Sequence, residues 1–321
     1  MASIGSTSIL RRGKATFAAA VVVAGLAVGG SAPALAAAPM TTSTARACVP
    51  GKILDFCRAV PPAHGFRLAN GVYQTIDAPG ASLTVPYRSN NRGQVVGAYV
   101  VPDGTPGGRT HGFVFANGVV RTVDGPGRSP TELLGINDHD QIVGGYQDAR
   151  GITHGLLLDR GTVRNVDFPG SRETVLFSIN NRGRIIGGYV DAAGKAQHFL
   201  LHRGVFTPID YPGASLTVPF DIDDRNRVVG SYLDAAGAPQ GFRLDDGVYT
   251  VIDTSAFPGA QLLGLNNRGQ IVGGYLDAGG KVRGLLRDPK GTFTTFDDPD
   301  ATTQTGAFDI NDRRQIVGVY R

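Results

Sequence analysis

The stretch INNRGRIIGGYVDAAG, residues 179–194, has a near-copy in LNNRGQIVGGYLDAGG, residues 265–280. Working outward from these, the glycine after the paired β-branched residues recurs at Gly97, Gly144, Gly187, Gly230, Gly273 and Gly318, at intervals of 47, 43, 43, 43 and 45 residues. Two residues beyond each stands a tyrosine: Tyr99, Tyr146, Tyr189, Tyr232, Tyr275 and Tyr320. Self-similarity at such a period marks a repeat architecture, here of six copies over residues 64–321.

Each copy contains four short strand candidates. In the third they are HGLLLD (154–159), TVRNVDF (162–168), ETVLFSIN (173–180) and RIIGGYV (184–190), all bounded by turn residues and none with a helical apolar period. The first two are joined by a DRG hairpin turn, matched elsewhere by ANG, HRG and DDG. The last two are joined by an Asx-rich turn, at 90–93, 137–140, 180–183, 223–226, 266–269 and 311–314. Its fourth position reads Gly, Asp, Gly, Asn, Gly, Arg, a set biased to residues that tolerate positive φ, with Arg314 the misfit.

Six four-stranded antiparallel units imply an all-β, six-bladed β-propeller. The glycines of IVGGY point to a crowded strand, read here as the innermost of each blade. On that reading the C-terminal strand (315–320) closes the ring by pairing with the first three strands (64–90), which hides both edges.

Residues 1–36 read as a secretory signal: Arg11, Arg12 and Lys14 precede an apolar run ending in Ala34-Leu35-Ala36. Without those three basic groups the formal charge of +4 falls to +1, which removes support for general nucleic-acid or membrane-surface binding. The mature protein is expected to be secreted. Residues 37–63 form a lead-in holding the chain's two cysteines, Cys48 and Cys57, expected to form a disulfide in an oxidising compartment.

Alternate loops of a meander emerge on opposite faces, so the Asx turns and DRG-type hairpins share one face. The third position of the Asx turn is Arg92, His139, Arg182, Arg225, Arg268 and Arg313, which predicts a near-complete ring of arginine there. The opposite face collects Asp77, Asp124, Asp167, Asp210, Asp253 and Asp297, with further turn aspartates beside them. The longest break in repetition, at 100–110, adds Asp103 and Arg109 as candidate contacts.

No catalytic motif or zinc spacing appears, and no cofactor or metal is implied. His64, His111 and His154 share a position filled elsewhere by Gln197, Gln240 and Arg283, a set that asks for a hydrogen-bond donor rather than a base or a metal ligand. Tryptophan is absent, which counts against sugar platforms built on exposed indoles.

The run HGFxxxxGxxxxxD.PGA…INNRGQIVGGY.DA.G resembles the extracellular HAF repeats, with His64-Gly65-Phe66 and His111-Gly112-Phe113 closest to their signature. SYLDAAG (231–237) and GGYLDAGG (273–280) also resemble secreted actinobacterial proteins that inhibit phospholipase D. The resemblance implies a non-enzymatic propeller that covers the mouth of an exported phospholipase D. The alternative is a multivalent carbohydrate or cell-wall binder, with a hydrolase or lyase less favoured.

Overall fold

In a computed structural model, which describes residues 63–105, 108–128 and 130–321, the chain forms 24 strands in six four-stranded antiparallel sheets arranged as a six-bladed propeller. The signal segment, nearly all of the lead-in and the Cys48–Cys57 pair lie outside the described residues. Among the described residues no helix is long and apolar enough to cross a membrane.

Strands β1 (His64–Ala69) and β2 (Val72–Ile76) come first. Blade 1 follows as β3 (Leu83–Ser89), β4 (Val95–Val101), β5 (Arg109–Ala116) and β6 (Val119–Thr122). Blade 2 is β7 (Thr131–Ile136), β8 (Ile142–Gln147), β9 (Thr153–Asp159) and β10 (Thr162–Asn165). Blade 3 is β11 (Glu173–Ile179), β12 (Ile185–Val190), β13 (Ala196–His202) and β14 (Val205–Pro208). Blade 4 is β15 (Leu216–Ile222), β16 (Val228–Leu233), β17 (Pro239–Asp245) and β18 (Val248–Ile252). Blade 5 is β19 (Gln261–Leu265), β20 (Ile271–Leu276), β21 (Val282–Arg287) and β22 (Phe293–Phe296). The C-terminal β23 (Thr305–Ile310) and β24 (Ile316–Tyr320) complete blade 6 with β1 and β2, in the order β23-β24-β1-β2.

The expected closure holds, since β1 pairs antiparallel with β24 from His64↔Tyr320 to Leu68↔Ile316. Its split differs from the sequence reading: two strands come from each terminus, not three and one. The reason is the phase of the repeat. The innermost strand is the one before the Asx turn, and IVGGY is the second strand of each blade.

The crowding that the IVGGY glycines announce is real but has another source. Every inner strand carries a β-bulge at the same place, between Pro86/Arg88, Leu133/Gly135, Leu176/Ser178, Pro219/Asp221, Leu262/Gly264 and Ala307/Asp309. Beside the bulge, in blades 1, 3, 4 and 6, a phenylalanine ring from the third strand packs against the first IVGGY glycine, while in blades 2 and 5 the bulged strand's backbone alone crowds it. A Cβ on Gly230 would stand 2.3 Å from the Val218 carbonyl oxygen and 2.7 Å from the Phe242 ring. The same rings (Phe66, Phe113, Phe199, Phe242) are among the largest fully buried side chains. They sit in the layers between blades, and Tyr87, Leu134, Phe177, Phe220, Leu263 and Phe308 line the axis.

Gly230→Ala is therefore expected to lower stability by about 1–3 kcal/mol, because neither a backbone carbonyl nor a packed ring can yield cheaply. Gly279→Ala, where a Cβ meets only the Asp277 carboxylate at 3.3 Å, should change it by less than about 0.5 kcal/mol. Denaturant unfolding of both variants checks the contrast.

Candidate functional site

The Asx turns are built by their first residue. In Asn90, Oδ1 accepts from the Arg92 and Gln94 backbone N–H groups, while Nδ2 donates to the Asn137 carbonyl of the next blade. Asn137, Asn180, Asn266 and Asn311 repeat this reach to the following blade, the last closing onto the Asn90 carbonyl. In blade 4 the position holds Asp223, which cannot donate. Arg227 takes over: its Nε donates to Asp223 Oδ2 at 2.7 Å and its Nη2 reaches the Asn266 and Asn267 carbonyls.

The second turn position forms a tighter ring around the axis. Around the six blades it reads Asn91, Asp138, Asn181, Asp224, Asn267, Asp312. Each asparagine Nδ2 donates to the aspartate Oδ2 on both sides, at 2.8–3.1 Å. Each backbone N–H at this position also donates to the Oδ1 of the next residue in the ring, at 2.7–2.8 Å. The circuit closes on itself and caps the channel mouth. Among the described residues, no three His, Cys, Asp or Glu side chains could together hold a metal ion.

Beneath the cap, the bulges aim a buried charge cluster at the axis. Arg88 donates to the Phe308, Phe220 and Leu263 carbonyls, and its Nε lies 3.4 Å from Asp221 Oδ1. Asp221 also accepts from Ser178 Oγ and the Leu265 N–H, and Asp309 accepts from Ser89 N–H and Oγ. Burial raises the Asp309 carboxyl, and the Asp221 charge adds to this while Arg88 opposes it. Two carboxylates thus share one guanidinium in a space of about 70 Å³. Hydrogen bonds from Ser178, Leu265 and Ser89 fix both carboxylates in place.

The six third-position residues, Arg92, His139, Arg182, Arg225, Arg268 and Arg313, stand around the bridged mouth. Among the described residues only the Arg92 side chain of this set is held, by Asp140 and the Asp138 carbonyl. Around this ring lie two further basic groupings. The His202 imidazole is pushed down by desolvation and by the charges of Arg184 and Arg203. Burial and the Arg243 charge lower Arg287. Further out, the hairpin tips expose Val72, Val119, Val205 and Val248, the first by 68%. Asp103 and Arg109 are placed elsewhere. Asp103 lies in the loop between β4 and β5 and Arg109 opens β5 beside it, on the opposite face, and Asp103 is occupied by Thr105 N–H and Oγ1.

On that opposite face the aspartates are largely spent on local bonds. Asp148, Asp191, Asp234 and Asp277 cap their own turns, and backbone donors hold Asp148 down to about 2. The shared histidine position does hold a donor: His64, His111 and His154 bond Asp77, Asp124 and Asp167 at 2.7–2.9 Å, each imidazole stacked on a blade tyrosine.

Three features lie outside the sequence reading. The alternation of Asn and Asp at the second turn position has its signal in a strict two-blade period. Arg88, Asp221 and Asp309 break the repeat at one position, where the other units carry Gly135, Ser178 and Gly264. Glu132 replaces the valine of Val85, Val175 and Val218, and burial pushes its carboxyl up to about 8.

No protein-family model matches the sequence, and no curated protein matches it. Among solved structures, the chain is similar to TolB from Acinetobacter baumannii, with a TM-score of 0.53 and 10% identity over 72% of this chain and 62% of that one. It is similar to a putative TolB from Agrobacterium tumefaciens at 0.52 and 14%, over 82% and 99%. The Aleuria aurantia lectin, described as a six-bladed β-propeller with a fucose recognition mode, scores 0.43 at 9% identity over 66% and 76%. At these identities the TolB likenesses speak to the fold alone, which they share with this chain. The chain spans 62% of the first of these relatives.

The buried and bridging acids make stability depend on pH and on the ring. Glu132 binds a proton more tightly folded than unfolded, so its contribution is full at low pH and is lost as pH rises from about 4.5 to about 8. Asp309 acts in the same direction. The turn aspartates act oppositely and only below their unfolded value near 4. The buried His198 imidazole, lowered to about 3, opposes Glu132 and Asp309 as pH falls below about 6.5, but it is one group against two. Thermal melts should therefore still give a higher Tm at pH 5 than at pH 8, and Glu132→Gln should flatten the slope. In the ring, Asn181→Asp removes both donors between Asp138 and Asp224 and adds a further negative charge beside them. It should lower stability by roughly 2–4 kcal/mol in denaturant unfolding. Arg182→Gln, a surface change at the next position, serves as the control and should be near neutral.

Proposed function

We propose that the protein is a secreted, non-catalytic binding module that presents its Asx-turn face to an exported phospholipase D and covers the mouth of that enzyme's site. One observation carries this reading: a ring of five arginines and His139, of which only the Arg92 side chain is held among the described residues, surrounds a channel mouth bridged by the Asn–Asp circuit. A bridged axis offers no cleft for a substrate, whereas a broad basic face offers a docking surface. Arginine is favoured in interfaces because its planar fork pairs with carboxylate and its flat face covers apolar groups. The exposed valines of the hairpin tips add apolar contact at the rim. The choice of phospholipase D as partner comes from the repeat resemblance.

The multivalent carbohydrate alternative draws no support from the six-fold repetition itself. The repeated tyrosines are covered, Tyr99, Tyr146 and Tyr320 by histidines and Tyr189 and Tyr232 by Phe168 and Tyr211.

The test is turnover of a water-soluble phosphodiester by a secreted phospholipase D with and without purified protein. Turnover should fall at micromolar protein, and more so as salt is lowered. Charge reversal at Arg182, Arg225 and Arg268 together should weaken inhibition at least tenfold. Undiminished turnover would reject the proposal.

A further inference from the structure

The repeat breaks once in a way that opens space. At one position of the third strand five units carry glycine: Gly65, Gly112, Gly155, Gly241 and Gly284. In four of them a Cβ would lie within 2.7 Å of backbone or packed side chain, for example 2.2 Å from the Val166 carbonyl oxygen at Gly155. Blade 3 places His198 there. The strand pairing is kept, because the Ile209 N–H still donates to the His198 carbonyl at 3.0 Å. The imidazole is buried, lies 6.0 Å from the Phe177 ring, and lines a cavity of about 240 Å³ between blades 3 and 4. Burial lowers the imidazole to about 3, so it is neutral, with one donor and one acceptor nitrogen.

The same unit breaks the aspartate pairing. Asp77, Asp124, Asp167 and Asp297 each hold a histidine or arginine, and Asp253 holds Ser255. In blade 3 the partner position is Gln197, which bonds Asp191 instead. The Asp210 carboxylate therefore takes no hydrogen bond or ion pair among the described residues, and it lines the cavity. Lys195, also on the wall, has an ammonium equally uncommitted among the described residues. Ser215 and Thr217 add hydroxyls, and Tyr211, backed by Tyr232 at 3.7 Å, supplies an aromatic wall.

We infer that this cavity is a binding site for one sugar ring, a pyranose residue, present once per chain. One carboxylate and one ammonium cancel, so the lining is neutral overall and disfavours a strongly charged ligand. Dispersed donors and acceptors around an aromatic wall suit adjacent hydroxyls and the apolar face of a pyranose. The site lies on the face opposite the arginine ring, so it stands or falls independently of the phospholipase reading.

Saturation-transfer NMR and calorimetry with the methyl pyranosides of glucose, galactose, mannose and fucose test this, with glycine betaine and inorganic phosphate as charged counter-probes. At least one pyranoside should bind with a stoichiometry of one. Asp210→Asn, at an exposed position, and His198→Gly, which restores the residue of the other units, should each weaken it about tenfold or more. Asp167→Asn, at the matching position of blade 2, should leave it unchanged. Absence of binding by every pyranoside at about 10 mM would overturn the inference. So would binding that survives both cavity variants, or a preference of the cavity for betaine or phosphate.

Discussion

Six turns meeting on one axis would ordinarily bring polar backbone and side chains together with no partner but water. Here they satisfy one another in a closed circuit of carboxamides and carboxylates. Each carboxylate takes two asparagine donors and a backbone N–H, so three negative charges sit close together without being left bare. Buried or half-buried charge is tolerated only when its lone pairs are so used. Because donors and acceptors alternate, the circuit closes only on an even number of blades. An odd ring would set two asparagines or two aspartates side by side.

Below that circuit the axis is filled by a different device. Inner-strand bulges turn two successive side chains toward the centre, one apolar and one from a mixed set of Arg, Gly, Ser and Asp. Arg88 spans the centre to carbonyls on three other blades, tying blade 1 to blades 4, 5 and 6. The two glycines in the set, Gly135 and Gly264, are where neighbouring inner strands approach too closely for a side chain: a Cβ on Gly264 would stand 2.6 Å from Asp309 Cα. Arginines on the outer face and a spent guanidinium inside are thus two separate uses of the same residue type.

The blade count and the antiparallel four-strand unit are legible in the sequence because repetition shows every boundary six times. So is the sorting of turns onto two faces, which depends only on meander parity. The phase of the blade is not, because a glycine in a crowded strand suggests the innermost place whatever crowds it. In the fold, the demand for glycine comes from the inner-strand carbonyl on one side and, in four of the six blades, a phenylalanine on the other, as at Gly97 between Val85 and Phe113. Residues whose role depends on partners in other blades are harder to find. Asp309 bonds Ser89 and Asp221 bonds Leu265, contacts separated by 220 and 44 positions that no local pattern encodes. His198 stands out in the sequence as an irregularity, but the space it borders exists only once two blades are packed together.

The pairing of β1 with β24 also sets an order of events. Residues 64–76 are among the earliest of the repeats to be made, and their hydrogen-bonding edge waits for residues 316–320. Blades 1 to 5 are each contiguous in the chain and can form as it emerges, whereas the sixth joins segments from opposite ends of the repeat region and bears the largest loop-closure entropy. Until the last few residues are available, the early hairpin is a lone ribbon with one open edge, vulnerable to pairing with another chain. Swapping of that hairpin between two molecules is the misassembly to which such a ring is most exposed.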